Sequence, residues 1–340
     1  MLLKARLYEI LILLLAILVA LLIGGIVIFL TGFSPLEAYS SLFYGAFGSK
    51  TAIIYTLVKS CPLIFISLGL IVAYRCHFWN IGAEGQLWLG AFAATLLGLF
   101  FPEVPTPLFL LLIFIVGFLA GALWGVIPAL LKIKFGIGEF VTTLLMNYIG
   151  IYFVLSFIGG SLKDPTVSHF QTVLIAPSAH LPRFPGTVLH IGILIAIISV
   201  VLIYMLLLRT ALGFKIRAAG DNPKAAIYAG ISISKYIAIA AIISGGLAGL
   251  AGAVEVTGVY HRLIDGFSPG FGYIAIVIAL LARIHPIGAI PSSFLFASFF
   301  VGADAMQRGA GVPISIVWVI QGLVVLLVLL SEYFIRRLKI

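Results

Sequence analysis

The sequence predicts an all-α polytopic membrane protein with about ten transmembrane helices, and three observations predict it. Hydrophobic residues fill 63% of the 340 positions and charged residues 9%, against roughly 45–50% and 25% in soluble domains. Charge-free gaps of 27 residues between Glu9 and Glu37, 28 between Glu103 and Lys132, 25 between Arg183 and Arg209, and 23 between Arg308 and Glu332 each exceed the roughly 20 residues that a spanning helix needs. Basic residues outnumber acidic ones by 20 to 11, yet they gather in alternate connections instead of on one soluble face. The same pattern excludes an ordinary soluble enzyme and gives no support to a nucleic-acid partner.

Taken in chain order, the charge-poor runs give ten candidate spans at about 8–30, 52–73, 79–101, 107–130, 139–159, 188–208, 236–256, 268–283, 286–303 and 313–334. Lys4 and Arg6 precede the first, but its apolar run lacks an Ala-x-Ala cleavage site, so it reads as a retained span rather than a signal peptide. The second is interrupted by Lys59 and Pro62, and a re-entrant piece is expected around Gly258 to Gly270; on either ground the count could fall to eight or nine. Irregular backbone at membrane depth must be buried in protein or line a wet cavity, which makes these two regions candidates for a translocation path. Residues 159–187 are proline-rich and of mixed polarity, and read as an extracytoplasmic loop that folds over the bundle or meets a partner. With both termini cytoplasmic, the inner set holds Lys4, Arg6, Arg75, Lys132, Lys134, Arg209, Lys215, Arg217, Lys224, Lys235, Arg283, Arg336, Arg337 and Lys339. That excess follows the positive-inside rule and is read as one membrane domain over 1–340 in a cytoplasmic (inner) membrane.

Chemistry-bearing motifs are few. There is no Walker A string, His-Glu-x-x-His, Gly-x-Ser-x-Gly or Cys-x-x-Cys, and Cys61 and Cys76 have no metal spacing, so neither catalytic residues nor a cofactor or metal is expected in this chain. Gly245/Gly249 and Ala248/Gly252 carry the small-xxx-small spacing of helices in close contact. Asn80, Glu84, Gln86 and Trp88 lie in one string at the start of the third span, where a carboxylate needs a cavity or a partner. Asn80 and Glu84, four apart, would share a helix face. Two readings stand for Glu84: a polar wall of the solute path, or a bond between helices to backbone or to Asn147. Glu255, after the glycines of 244–252, is either a path residue or a helix-end anchor near the outer interface. Lys59, Asn147, Gln307 and Gln321 are further path candidates, with an interhelical hydrogen bond as the alternative. Trp79, Trp88, Trp124 and Trp318 could stack a planar solute or anchor the membrane interface.

The polar stretch 209–235 cannot cross a membrane. Within it Asp221 or Asn222 can cap a short helix that has Pro223 at its first position, runs through Lys224 to Ala229, and stops at Gly230. Such a helix either docks a soluble partner or only closes a loop.

Three strings, Asn80-Ile-Gly-Ala-Glu-Gly-Gln86, Gly213-Phe-Lys-Ile-Arg-Ala-Ala-Gly-Asp-Asn-Pro223 with Ala225, Ala226 and Gly230, and Ser244-Gly-Gly-Leu-Ala-Gly-Leu-Ala-Gly252, resemble the permeases of binding-protein-dependent ABC importers for sugars, branched-chain amino acids and nucleosides. Arg262-Leu-Ile-Asp-Gly-Phe-Ser-Pro-Gly-Phe-Gly272, Ala279-Leu-Leu-Ala-Arg-Ile-His-Pro286, Met306-Gln-Arg308 and Gly311-Val-Pro313 resemble the nucleoside branch, which also goes under simple-sugar transport. The resemblance implies a pathway formed with a second, non-identical permease, two cytoplasmic ATP-binding subunits that hold ATP and Mg, and an extracytoplasmic solute-binding protein or lipoprotein. It also implies that 213–231 is the coupling region, with Gly213, Arg217, Gly220, Asp221, Asn222, Pro223, Ala225, Ala226 and Gly230 at the ATPase contact. A nucleoside is the expected solute. Simple sugars such as ribose, branched-chain amino acids and an ion-coupled secondary transporter are the alternatives.

Overall fold

A computed structural model describes residues 2–337 and, among them, only helices with their connections. Lys339 lies outside the described residues, as do the side chains of Lys4, Arg6, Arg336 and Arg337, so the inner placing of the two termini is not read from it. In chain order the helices are α1 (Leu2–Leu30), α2 (Pro35–Phe47), α3 (Lys50–Arg75), α4 (Ala83–Phe100), α5 (Thr106–Phe135), α6 (Glu139–Ile158), α7 (Gly192–Arg209), α8 (Ala211–Asp221), α9 (Pro223–Tyr228), α10 (Ile233–Glu255), α11 (Phe271–Leu281), α12 (Ala289–Ala310) and α13 (Ile314–Arg337). A single π-turn, Val256–Tyr260, extends α10.

Among the described residues, seven helices are long and apolar enough to cross a membrane: Lys50–Arg75, Ala83–Phe100, Thr106–Phe135, Glu139–Ile158, Gly192–Arg209, Ile233–Tyr260 and Pro286–Ala310. The protein is therefore a polytopic all-α membrane protein, with seven such helices among the described residues where ten spans were expected. The 268–283 candidate fails for a physical reason. It folds as the 11-residue α11, roughly 16 Å long at 1.5 Å per residue and too short for a core of about 30 Å. The first and last candidates fall on α1 and α13, whose described apolar stretches are Leu15–Leu30 and Ile314–Val328. The expected break of the second span is absent, because α3 continues through Pro62. The break around 258–270 is present as ten non-helical residues, 261–270, between the π-turn and α11.

The chain divides into two compact units. One joins the described parts of Met1–Lys59 and Phe294–Ile340. In it α1 packs on α13, with Gly24 against Ile320, and the Tyr39 hydroxyl of α2 donates to the Leu21 carbonyl. The other, Ser60–Ser293, is built on α4, α5 and α10, which touch backbone to backbone. A Cβ on Gly90 would overlap the Gly249 carbonyl, and one on Gly121 would overlap that of Gly245. Lipid gives apolar side chains no reason to leave it, so helix association rests on van der Waals contact, and small residues maximise that contact. The 245/249 spacing is thus used as the sequence suggested. Gln307 is exposed and Gln321 buried in the first unit, whose Trp318 is 57% exposed. Cys61 and Cys76 are free and buried in the second.

The connection 159–191 is tied down along 256–265. Thr172 N donates to Leu263 O, Ile175 N to His261 O and Leu181 N to Thr257 O, each at 2.9 Å, while Asp265 N donates to Phe170 O at 2.8 Å. At its start the Thr166 hydroxyl and N–H, 2.6 and 2.9 Å from Asp164 Oδ1, hold the Asp164 carboxyl below its ordinary value. The loop therefore folds over its bundle, one of the two expected arrangements.

Candidate functional site

The helix α4 begins at Ala83, so Asn80 precedes it and does not share a face with Glu84. That expectation is corrected by the glycine-rich start of the span: Gly82, with φ −79° and ψ 9°, is the cap without a side-chain bond, and the chain is still irregular at Asn80. Asn80 pairs instead with Gln86. Its amide nitrogen donates to Gln86 Oε1 and to the Ser244 hydroxyl of α10, both at 2.9 Å, and its oxygen accepts from Gln86 Nε2 at 3.1 Å and Gly82 N at 2.9 Å. Asn147 of α6 closes the other side, accepting from Gly85 N and donating to Ile81 O, both at 2.8 Å. Asn80, Gln86 and Asn147 are buried and satisfied, as polar groups at membrane depth must be.

Glu84 turns the opposite way. Its Oε2 accepts from the Gly272 N–H at 2.6 Å and its Oε1 from Trp88 Nε1 at 3.3 Å, and the Ser268 hydroxyl also bonds it. Ser268 Oγ in turn accepts from Gly270 N at 3.3 Å and Phe271 N at 3.1 Å. The first turn of α11, whose N–H groups have no helical partners, is thus capped by Ser268 from its own chain and by Glu84 from α4. A negative group there also meets the positive end of the helix dipole. Gly272 lets the two backbones meet, because a Cβ there would overlap Glu84 N. Trp88 stands edge-on to Phe267, with ring centroids 4.6 Å apart, so its ring is buried against protein. The bonds Glu84 makes thus join α4 to α11 through backbone and not through Asn147. Glu255, buried at the last position of α10, is close enough to act electrostatically on Cys61 of α3. Trp124 Nε1 donates to Met146 O at 3.1 Å, and Trp79 lies between Tyr74 and Phe140. The half-buried Lys59 stands one residue before the second unit begins.

At the other end of α10, the expected coupling region folds as two helices. Thr210 caps α8, accepting from Gly213 N at 3.1 Å. Gly213 and Gly220 are buried against the backbones of Leu207 and Arg75, half-buried Arg217 lies between them, and Asp221 is the last residue of α8. Asn222, not Asp221, is the cap of α9: its Oδ1 accepts from Ala225 N at 3.1 Å, and Pro223 takes the first position. Gly230, at φ +75°, reverses the chain. Ala226 is buried and Ala225 exposed, while Ile227 and Tyr228 are 62% and 94% exposed.

Sequence reasoning missed Ser268 and Gly272, although a Ser-Pro-Gly run before an apolar stretch is a helix-start signal. It also missed His180, Arg183, His190 and His261, which no spacing connects. No group of three His, Cys, Asp or Glu among the described residues could hold a metal ion.

The family described as "Branched-chain amino acid transport system / permease component" matches residues 52–329. The guanosine ABC transporter permease protein NupP of Bacillus subtilis is 34% identical over 97% of this chain and 96% of its own. The nucleoside ABC transporter permease protein NupB of Lactococcus lactis is 33% identical over 93% and 90%. The glucose ABC transporter permease protein TsgB13 of Haloferax volcanii is 33% identical over 95% and 87%. No solved structure matches significantly. A polytopic helical unit with buried amide pairs, and a family match over most of its length, make the chain a transport subunit and not an enzyme: it belongs to the permease-component family of ABC transport systems.

Proposed function

We propose that the chain is one permease subunit of an ATP-driven importer for nucleosides. It would take solute from an extracytoplasmic binding protein or lipoprotein and pass it to the cytoplasm, beside a second, non-identical permease and above two ATP-binding subunits that carry ATP and Mg. On this reading both termini are cytoplasmic, α1 and α13 add crossings to the seven, and 1–340 acts as one permease domain.

The observation that carries the coupling role is α9. A six-residue helix stopped at both ends, with Ile227 and Tyr228 turned outward, has an apolar surface that nothing in its own unit covers. Ala225 keeps that surface low, and Gly220 seats the preceding α8 against the Arg75 backbone. Tyr228→Ala together with Ile227→Ala should release the ATP-binding subunits on co-purification and leave the fold intact; retained binding and unchanged solute-stimulated ATP hydrolysis would refute the docking role. For the path, Asn80, Glu84, Gln86, Trp88, Asn147 and Glu255 are the polar and aromatic groups that α4, α6 and α10 would bring to solute when the helices move.

The nucleoside assignment is supported by strings 262–272 and 279–286 and by the relatives named for guanosine and nucleosides. A sugar is the second reading, favoured by the glucose permease of similar identity. Uptake by the complete reconstituted complex decides between them. Labelled guanosine, adenosine or uridine should enter with ATP and binding protein and be suppressed by unlabelled nucleoside. Preference for ribose, glucose or leucine would overturn the solute and leave the permease role standing. Uptake by the isolated subunit on an ion gradient would overturn both.

A further inference from the structure

Three histidines and an arginine, His180, Arg183 and His190 from one connection and His261 from the other, meet where 159–191 is tied to 256–265. The His180 and His261 rings stack with centroids 3.9 Å apart and planes 20° from parallel. Arg183 Nη2 reaches Gly258 O at 3.1 Å and His261 Nε2 at 2.8 Å. A guanidinium can only donate, so His261 Nε2 must be an acceptor and the ring neutral. His190 is fixed in the same way: its Nδ1 accepts from the Gly192 N–H at 3.2 Å, and its ring lies so close to Gly258 that a Cβ there would meet it at 2.8 Å. His261 itself sits at φ +55°, a conformation that a non-glycine residue holds only under constraint.

We propose that Arg183, His180, His190 and His261 form a proton-operated latch, in which neutral imidazoles hold the connection 159–191 down on 256–265 and their protonation releases it. A proton on His261 Nε2 would face Arg183 N–H, and one on His190 Nδ1 would face Gly192 N–H. In each case an accepted bond becomes two opposed donors. The groups acting on these rings are Arg183, the other imidazoles and the backbone of Ile175 and Thr257. None of these groups is a carboxylate that would offset the added charge. Asp164 and Arg262 act on one another elsewhere on the same pair of segments, and Asp265 engages Phe170 through its backbone N–H. Burial first, then Arg183, brings His190 down to about 4, and burial with His180 and Arg183 brings His261 down to about 4. The sign follows. The released form takes up protons that the latched form refuses, so the latch is at full strength above about 6.5, the ordinary histidine value, and weakens as pH falls towards 4.

The latch lies at the end of α7 and α10 opposite to α8 and α9, since each of those two helices joins one end to the other. On the orientation proposed above it faces outward, towards the compartment whose acidity varies with surroundings. The latch itself depends on neither the solute nor the ATP-binding subunits.

Amide hydrogen exchange on the full chain in lipid nanodiscs, at pH about 7.5 and about 5 and corrected for intrinsic rates, tests it. Peptides holding Ile175 and Leu181 should exchange at least about tenfold faster at the lower pH, the change expected for one pH unit of unmatched protonation, while those of α4, α5 and α10 stay protected. The His190→Gln, His261→Gln double variant, which keeps acceptors that do not titrate and leaves only His180 to respond, should show a much smaller acid response. Equal protection of 170–185 at both pH values, opening of the α4, α5 and α10 peptides in step with it, or an undiminished response in the double variant would overturn the latch. If the double variant does not assemble, histidine titration of the full wild-type chain by NMR decides: His190 and His261 neutral at pH 5.5 support the latch, and either one titrating near 6.5 overturns it.

Discussion

The contact of α4, α5 and α10 and the segment 222–230 around α9 both use glycine and alanine, yet the same small residues serve opposite ends in the two places. In the three-helix contact they are buried and let backbones touch, so the fit has no slack. In 222–230 they are mostly exposed, and the local structure comes from Asn222, Pro223 and Gly230 instead of from packing. Small residues in a membrane protein therefore mark either where the chain meets itself or where it leaves room for something else. What separates the cases is whether a neighbouring backbone lies within reach.

The largest effect should come from filling the contact. Gly121→Val places a branched side chain on the Gly245 carbonyl, and the helices can only part; overpacking costs typically 1–3 kcal/mol, and a backbone that cannot turn aside belongs at or beyond about 3. Thermal melting of the purified chain should fall well below wild type, whereas Ala225→Val should stay within about 0.5 kcal/mol, as an exposed position does. Equal melting of the two variants would erase the distinction between the regions.

Next comes the Glu84 cap. Glu84→Leu removes the acceptor from Gly272 N–H and Trp88 Nε1–H, two buried donors at about 1–3 kcal/mol each, so the variant should melt lower and yield less. Glu84→Gln keeps one oxygen for Gly272 but turns an NH2 towards a donor, so it should lie between Glu84→Leu and wild type. A Glu84→Leu chain with normal melting would mean that α11 does not depend on α4.

These two regions also show what the sequence could tell. The glycine spacing 245/249 and the order Asn222, Pro223, Gly230 are local patterns whose geometry repeats wherever they occur, and both are found as expected. The pairing of Asn80 with Gln86 and of Glu84 with Gly272 was not legible, because it depends on where α4 starts and on a segment 188 residues away. The span count went astray for a related reason. Hydropathy sees that 268–283 is apolar, but not that Gly270 and Ser268 start the helix late and that Gly288 lies against Ala282 soon after its end.

A smaller effect tests the α9 side. Asn222→Ala removes the acceptor for Ala225 N and should cost about 1 kcal/mol of helix stability, confined to 222–230 because little else packs on it. Proteolysis at Lys224 should quicken while the global melting temperature stays put. A global shift would show that α9 is tied to the three-helix contact after all.

The smallest effect belongs to the ion pair Lys132–Glu139, which bridges the turn from α5 to α6 at 2.6 Å. Its side chains are 27% and 10% exposed, so the pair is neither free in water nor sealed from it. Lys132 also reaches the His77 carbonyl at 3.4 Å, and Glu139 has the Trp79 backbone as a further donor, so neither group is stranded when the other is removed. That sets it apart from Glu84, whose loss strands two donors in a dry contact. A double-mutant cycle with Lys132→Met and Glu139→Gln should give a coupling of about 0.5–1 kcal/mol that shrinks with added salt, the behaviour of a solvated pair. A coupling above about 3 kcal/mol, insensitive to salt, would place this turn with the three-helix contact and not with α9.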